Sequence, residues 1–344
     1  MKKITSIFAL LLCVFVFSCS NDDDKETSSL QIVSSNVTFE SAGGTGTIKV
    51  NAISEITATS NKDWCTVSVN GDIINVSVIE NNDMSGRTAA VTITDGEAST
   101  LVPVSQGGCV ILHNKSELGH AFTYAGGSAT VSFSTTASYS IEVPAEAQSW
   151  LSYTLDEENR TITFNVAASA DKTPRGAAVK VTAGKKTIYY HLGEYELKDI
   201  AGKWRVSFVD GDDSTLAGEI EVVQDEEEPT IFYLSGISNF FDLPLIYNGE
   251  ALLTMGGLNL GTYAGRYNIY TVTLSEGGYV SWDMSTQYVA YPSSINGKFA
   301  LVFGDNGSWD GDVVNGIAYW AFSGAAGTGS AGWLEKFNAL TLSK

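Results

Sequence analysis

Carboxylates are the most numerous groups in this sequence that could do chemistry: Asp and Glu number 39 among 344 residues. A facing pair about 5 to 10 Å apart across a cleft would hydrolyse a glycosidic bond. Their distribution argues against that use. They gather in turns and in acidic runs such as Asp225-Glu226-Glu227-Glu228, where water is the default partner. A serine triad has no candidate, because no Gly-x-Ser-x-Gly stands between a strand and a helix. Neither His-Glu-x-x-His nor paired Cys-x-x-Cys offers zinc ligands. Asp305–Asp312 has groups suited to calcium but not the regular spacing of a calcium loop, and reads as a turn. The sequence implies no catalytic residue, no metal and no cofactor, hence no enzyme.

Aromatic side chains are the alternative chemistry. Five of the seven Trp and ten of the fifteen Tyr lie from Tyr195 onward, and all three His precede that point. Tyr263, Tyr267, Tyr270, Trp282, Tyr288, Tyr291 and Trp320 are the candidate ligand-binding set, lining a cavity or forming a platform for a sugar. Their competing role is core or girdle packing. With Lys plus Arg at 20 and a net charge of −19, no basic groove for phosphates is available, which excludes nucleic acid as a partner.

The elements that must position these rings are strands. Short runs rich in Val, Ile and Thr recur between Gly, Asn and Asp turns, and no amphipathic helix stands out. After Tyr195 the pattern suggests eight to ten strands, among them 203–209, 219–224, 230–234, 267–275, 298–303 and 317–322. Asn248-Gly249, Asn296-Gly297 and Asp305-Asn306-Gly307 are hairpin signals. An antiparallel meander closing into a barrel fits them. A barrel of about eight strands either holds one small ligand or is filled by its own side chains. Gly202-Lys203-Trp204 resembles the Gly-x-Trp start of lipocalin-like barrels, and the region resembles the calycin-like domains of related lipoproteins. No late-strand Arg is evident to pack on that Trp.

Upstream, one layout occurs twice. Phe39-Glu40-Ser41-Ala42-Gly43-Gly44 is echoed by Phe122-Thr123-Tyr124-Ala125-Gly126-Gly127, Trp64 by Trp150 and Arg87 by Arg175, at offsets of 83, 86 and 88 residues. Such a repeat is a small β-sandwich made twice, with each Trp as a core plug. Gln106-Gly107 closes the first copy, and Leu192-Gly193 is the expected match in the second. With Asp63-Trp64, Asn81 and Arg87, the layout resembles the BACON family, well over 30–107 and less well over 110–193. That resemblance implies carbohydrate or mucin binding, or a spacer role, at the surface of Bacteroidetes cells. The fold class expected for the whole chain is all-β: two tandem immunoglobulin-like β-sandwiches (30–107 and 108–193), then an antiparallel β-barrel-like domain (194–344).

The amino terminus supplies an address. Lys2-Lys3 precede an apolar run, 7–17, too short to span a bilayer. Val16-Phe17-Ser18-Cys19 resembles the bacterial lipobox, which implies a signal peptide over 1–18 and a diacylglycerol on Cys19. The acidic stretch after Cys19 reads as a tether over 19–29 and resembles the surface-export signal of Bacteroidetes lipoproteins. The implied partners are the outer membrane, through the lipid, and a glycan or mucin. The implied location is the outer membrane, exposed at the cell surface. A structural or adhesive envelope role without a small ligand is the alternative. Cys65 and Cys109 could pair in such a compartment, and the sequence leaves that open.

Overall fold

The computed structural model describes residues 30–96 and 98–344. Cys19 and the tether lie outside the described residues. The chain separates into two compact units, one holding residues up to Val37 with Thr45–Ser77 and Ala89–Val104, the other holding Thr38–Gly44, Val78–Thr88 and Ser105–Lys344. Both are built of strands, joined among the described residues by three single turns of 3-10 helix.

The repeat is visible in the topology. In the first copy one sheet runs in the order Gln31–Asn36, Gly44–Asn51, Ile73–Val78, Cys65–Asn70, and another in the order Thr38–Phe39, Ala98–Gln106, Arg87–Asp95, Ile56–Ser60. The second copy repeats both, with Ile111–His113, Gly127–Thr135, Thr161–Val166, Leu151–Asp156 and with Gly119–Phe122, Lys186–Glu194, Arg175–Ala183, Tyr139–Glu142. Strict alternation of buried and exposed residues, as in Ile73–Val78, gives each sheet one apolar face. Gly43 and Gly126 hold left-handed backbone (φ 81° and 70°). A Cβ on either would meet a carbonyl oxygen, of Val78 or Val166, within 2.5 Å, so Gly is required by both sterics and torsion.

Arginine closes each copy in the same way. Arg87 donates through Nε to Gln106 Oε1 at 2.8 Å and through Nη2 to the Ile79 carbonyl at 2.8 Å. Arg175 donates through Nε to the Glu194 carboxylate and through Nη2 to the Ala167 carbonyl. The residue equivalent to Gln106 is therefore Glu194, not the expected Leu192. One residue of register was misjudged because the Gly after Gln in the first copy has no counterpart after Glu194. Trp150 is buried with the Arg175 guanidinium 4.6 Å from its ring centroid; Trp64 is half-buried. Cys65 and Cys109 are both buried and free.

Downstream lies a twelve-stranded antiparallel sheet rather than eight to ten strands. Pieces as short as Val280–Ser281 had no readable period. The first strand, Gly202–Val209, pairs with Thr215–Gln224 and also with the last, Ser330–Ser343. The path from Gly202–Val209 through Thr215–Gln224, Ile231–Ser235, Leu243–Tyr247, Leu252–Met255, Gln287–Ile295 and Lys298–Gly304 thus returns to Ser330–Ser343 and closes a ring of eight strands. The remaining strands extend from the last one through Val314–Phe322. The interior is filled by Trp204, Phe232, Tyr288, Phe299, Phe303, Tyr319 and Phe337 among others. Trp204 donates from Nε1 to the Ile200 carbonyl at 2.7 Å. Lys344 Nζ sits 4.5 Å from its ring centroid, so the cation absent from the late strands comes from the C-terminal residue.

The second sandwich packs on this sheet through glycines. A Cβ at Gly119 would fall 2.1 Å from the Tyr291 ring, at Gly176 2.5 Å from Ser293 backbone, and at Gly193 2.3 Å from Pro292. Three consecutive residues of Gln287–Ile295 thus occupy space that any other side chain would fill. His191 stacks on Tyr291, centroids 5.1 Å apart, and its Nδ1 is buried without a hydrogen-bond partner. Desolvation pulls its pKa down to about 4, a backbone hydrogen bond at Pro292 opposing the shift.

Two expectations follow. Gly176→Ala forces Ser293 backbone to move and should cost roughly 1 to 3 kcal/mol, read as a lower urea midpoint; an unchanged midpoint would mean that the two layers do not press together. His191 has a folded pKa below the unfolded value of about 6.5. The unfolded chain therefore takes up the proton first, and stability is lost as pH falls from about 6.5 to about 4, by up to roughly 3 kcal/mol. In thermal melts across that window, His191→Phe should flatten the dependence.

Candidate functional site

The filled ring leaves no interior cavity around Tyr288, so recognition has to take place on a surface. One cleft of about 310 Å³ opens where the turn after Gly202–Val209, the turn after Ile231–Ser235 and the early part of Ser330–Ser343 meet. Trp333, Glu335, Lys336, Asp210, Asp212 and Ser238 face it, and the volume is at the lower end of ordinary ligand sites.

The last strand owes its aim to one residue. Ala339 has φ 48°, and the strand pairs Asn338 with Val209 but Thr341 with Ser207. Three residues thus span the space of two, a β-bulge. Beyond it Leu340 and Leu342 are buried; before it the buried residue is Phe337. The bulge therefore shifts the inward phase from even to odd positions and places Trp333 and Glu335 on the same face as Phe337. Phe337 belongs to the core, against Phe208 and Tyr319 at 5.0 Å each. Glu335 is half-buried and Trp333 is 45% exposed, a gradient from core to opening along one strand.

Trp333 is held from the side. A Cβ on Gly211 would lie 2.4 Å from its six-membered ring, so only Gly lets the indole lie against that turn. Lys336 Nζ stands 4.7 Å from the ring centroid. Asp210 is occupied structurally, its Oδ1 accepting from the Asp212 and Ser214 backbone N–H groups at 2.9 Å each. Glu335 is different. Burial pushes its carboxyl pKa above the ordinary value, against a hydrogen bond from Ser238, and its Oε2 is buried without a partner. The cleft therefore combines an exposed ring with an uncommitted acceptor. The rim continues past Asn239 to Phe240, 45% exposed and edge-on to Tyr263 at 5.4 Å.

The seven aromatics singled out in the sequence separate into four places. Tyr263 and Tyr267 are half-buried on the margin of the barrel core, Tyr263 beside Phe240 and Tyr267 under the Arg266 guanidinium at 4.3 Å. Tyr270, Trp282 and Trp320 gather at a smaller cluster around Phe322, where Trp320 Nε1 donates to Ser330 Oγ at 2.7 Å. Tyr288 is fully buried, donating to the Asn315 carbonyl and accepting from Leu340 N–H. Tyr291 is buried under His191. Neither Tyr288 nor Tyr291 offers a face to a ligand. Trp333, Glu335 and Phe240 were passed over; a Trp directly after the Gly-rich hairpin 324–332 was the available signal.

A second groove, of about 430 Å³, lies on the second sandwich beside Leu112, Tyr139, Leu155 and Arg160. Its lining is mostly aliphatic and threonine, and the Asp156 carboxylate there is taken by Asn159. Among the described residues, no group of three or more His, Cys, Asp or Glu is placed to hold a metal ion.

A model of the BACON family, described as "Putative binding domain, N-terminal", matches residues 54–107 and 140–189. A xyloglucan-specific endo-β-1,4-glucanase of Bacteroides ovatus, BoGH5A, is 28% identical over 107 residues, 29% of this chain and 21% of that protein. The chain thus spans about a fifth of the curated relative that it matches. Among solved structures, a Bacteroides ovatus GH5 xyloglucanase in complex with a XXXG heptasaccharide shows 26% identity over 23% of this chain and 19% of that one, with a TM-score of 0.22. A titin I9–I11 tandem aligns over 80% of this chain and 94% of that one at 7% identity, with a TM-score of 0.32.

Glu335 gives a test of the site's electrostatics. Its folded pKa lies above the unfolded one, so its contribution is fully present below the unfolded value and is lost as pH rises through the folded value. Glu335→Gln should therefore melt higher than the parent at pH 8 and alike at pH 3.5. A parent that is equally or more stable at pH 8 would show that the carboxylate is satisfied.

Proposed function

We propose that this chain is a non-catalytic lipoprotein of the Bacteroidetes outer membrane, held by a lipid on Cys19, that binds a glycan at the mouth of its C-terminal barrel. The two sandwiches act as the modules that carry the barrel away from the membrane. The observation that carries the reading is Trp333, nearly half exposed in a cleft whose one unpartnered carboxylate oxygen belongs to Glu335. Buried acceptors without partners are rare in folded proteins, and a ligand hydroxyl is a fitting donor. Support of a coarser kind comes from the BACON match, a binding family, and from the segment shared with an enzyme named for xyloglucan. A structural or adhesive role is favoured by a different observation, the side-chain-filled interior of the ring.

The experiment is a glycan and mucin array probed with the chain from Ser20 onward, and with its Trp333→Ala variant. The sandwiches and barrel stay together, because cutting after Gly193 would bare the surface around Tyr291. Binding by the parent and its loss in Trp333→Ala, with unchanged melting temperature, is the expected result. Silence from the parent would favour the structural role. For the anchor, Cys19→Ala should move the protein from the membrane to the soluble fraction; continued membrane association would refute lipidation at that residue.

A further inference from the structure

The charge layout of the barrel cleft deepens the reading just proposed, and rests on it. Asp210, Asp212 and Glu335 face the cleft against one cation, Lys336. The count is three negative groups to one positive, and the wider chain carries −19. The Lys336 ammonium is already placed over the Trp333 ring at 4.7 Å, where a cationic ligand would otherwise stack. The Gly211 turn fixes the ring from the side. What the cleft still lacks is a hydrogen-bond donor for Glu335 Oε2 and an apolar surface for the exposed part of the indole.

We infer that the ligand of this cleft is a neutral glycan, free of sulfate and uronate groups, whose ring C–H face lies on Trp333 and whose hydroxyl donates to Glu335. A neutral pyranose meets both needs at once: an apolar face and hydroxyl donors at its edge. A sulfate or carboxylate brings no donor to Glu335 and meets like charge in a partly desolvated cleft, where such repulsion is stronger than in water. A protonated amine meets Lys336. Glu335 is on this account a specificity residue: it accepts from the neutral sugar and repels the anionic one.

The test is isothermal titration of the chain from Ser20 onward with neutral xyloglucan, mannan and galactan oligosaccharides, and with anionic oligogalacturonate, chondroitin sulfate and sulfated fucan fragments of matched length. Trp333→Ala and Glu335→Gln are titrated in parallel. The expected result is that at least one neutral member binds at least about tenfold more tightly than any anionic one, a difference within reach of a single close charge pair. Binding disappears in Trp333→Ala, and Glu335→Gln narrows the gap by weakening the neutral ligand more than the anionic. An anionic glycan that binds equally or more tightly, with loss in Trp333→Ala, overturns the inference and leaves glycan binding at the cleft intact. Neutral binding that survives Trp333→Ala overturns the assignment of the site. Silence from every member overturns the glycan reading itself, and this inference with it.

Discussion

A long antiparallel sheet must protect its edges, and the C-terminal part of this chain does so by ring closure. The last strand, Ser330–Ser343, supplies the closing contact with Gly202–Val209. Eight strands leave an interior only wide enough for side chains, and Trp204, Phe232, Tyr288, Tyr319 and Phe337 fill it. Closure around a full core rules out an internal ligand cavity and moves recognition to the mouth. The same last strand then supplies the mouth: the bulge at Ala339 turns Trp333 and Glu335 toward the opening. One strand thus closes the fold, seals its core and presents its candidate site.

The sandwiches follow a different logic. Each is too small to rely on apolar burial alone, and each is tied at one end by an Arg that bridges a side chain near the last strand and the carbonyl of a loop. Gln106 serves as acceptor in one copy and Glu194 in the other, so the geometry tolerates both a neutral hydrogen bond and an ion pair. Glu194 is completely buried beside Arg175, where removing one partner would strand a charge. The second copy also gives up side chains at Gly119, Gly176 and Gly193 to receive Tyr291, Pro292 and Ser293. That surface makes the second sandwich and the barrel neighbours within one compact unit, and neither can be read as a bead on a string.

Much of this was legible in the residues. Alternation and Gly-rich turns announced the all-β class, and near-constant offsets announced the repeat, because both depend on local spacing. The seven candidate aromatics fared less well, because which rings reach the surface is decided by strands that meet late in the chain. Tyr288 and Tyr291 sit in a strand buried on both faces, by the barrel core and by the sandwich, and nothing in their local sequence marks the second cover. Trp333 was hidden for a sharper reason: simple alternation carried back from Leu342 and Leu340 assigns odd positions to the outside, and a single non-glycine residue at φ 48° inverts that phase. Lys344 over Trp204 was missed because the cation was sought in a strand and sits at the chain's end.

The most direct measurement is a crystal structure of the chain soaked with a neutral oligosaccharide that it binds. The account predicts sugar density stacked on the Trp333 indole with a hydroxyl within hydrogen-bond distance of Glu335 Oε2. Density in the sandwich groove beside Tyr139, or on the cluster around Phe322, with the Trp333 cleft empty, would contradict it.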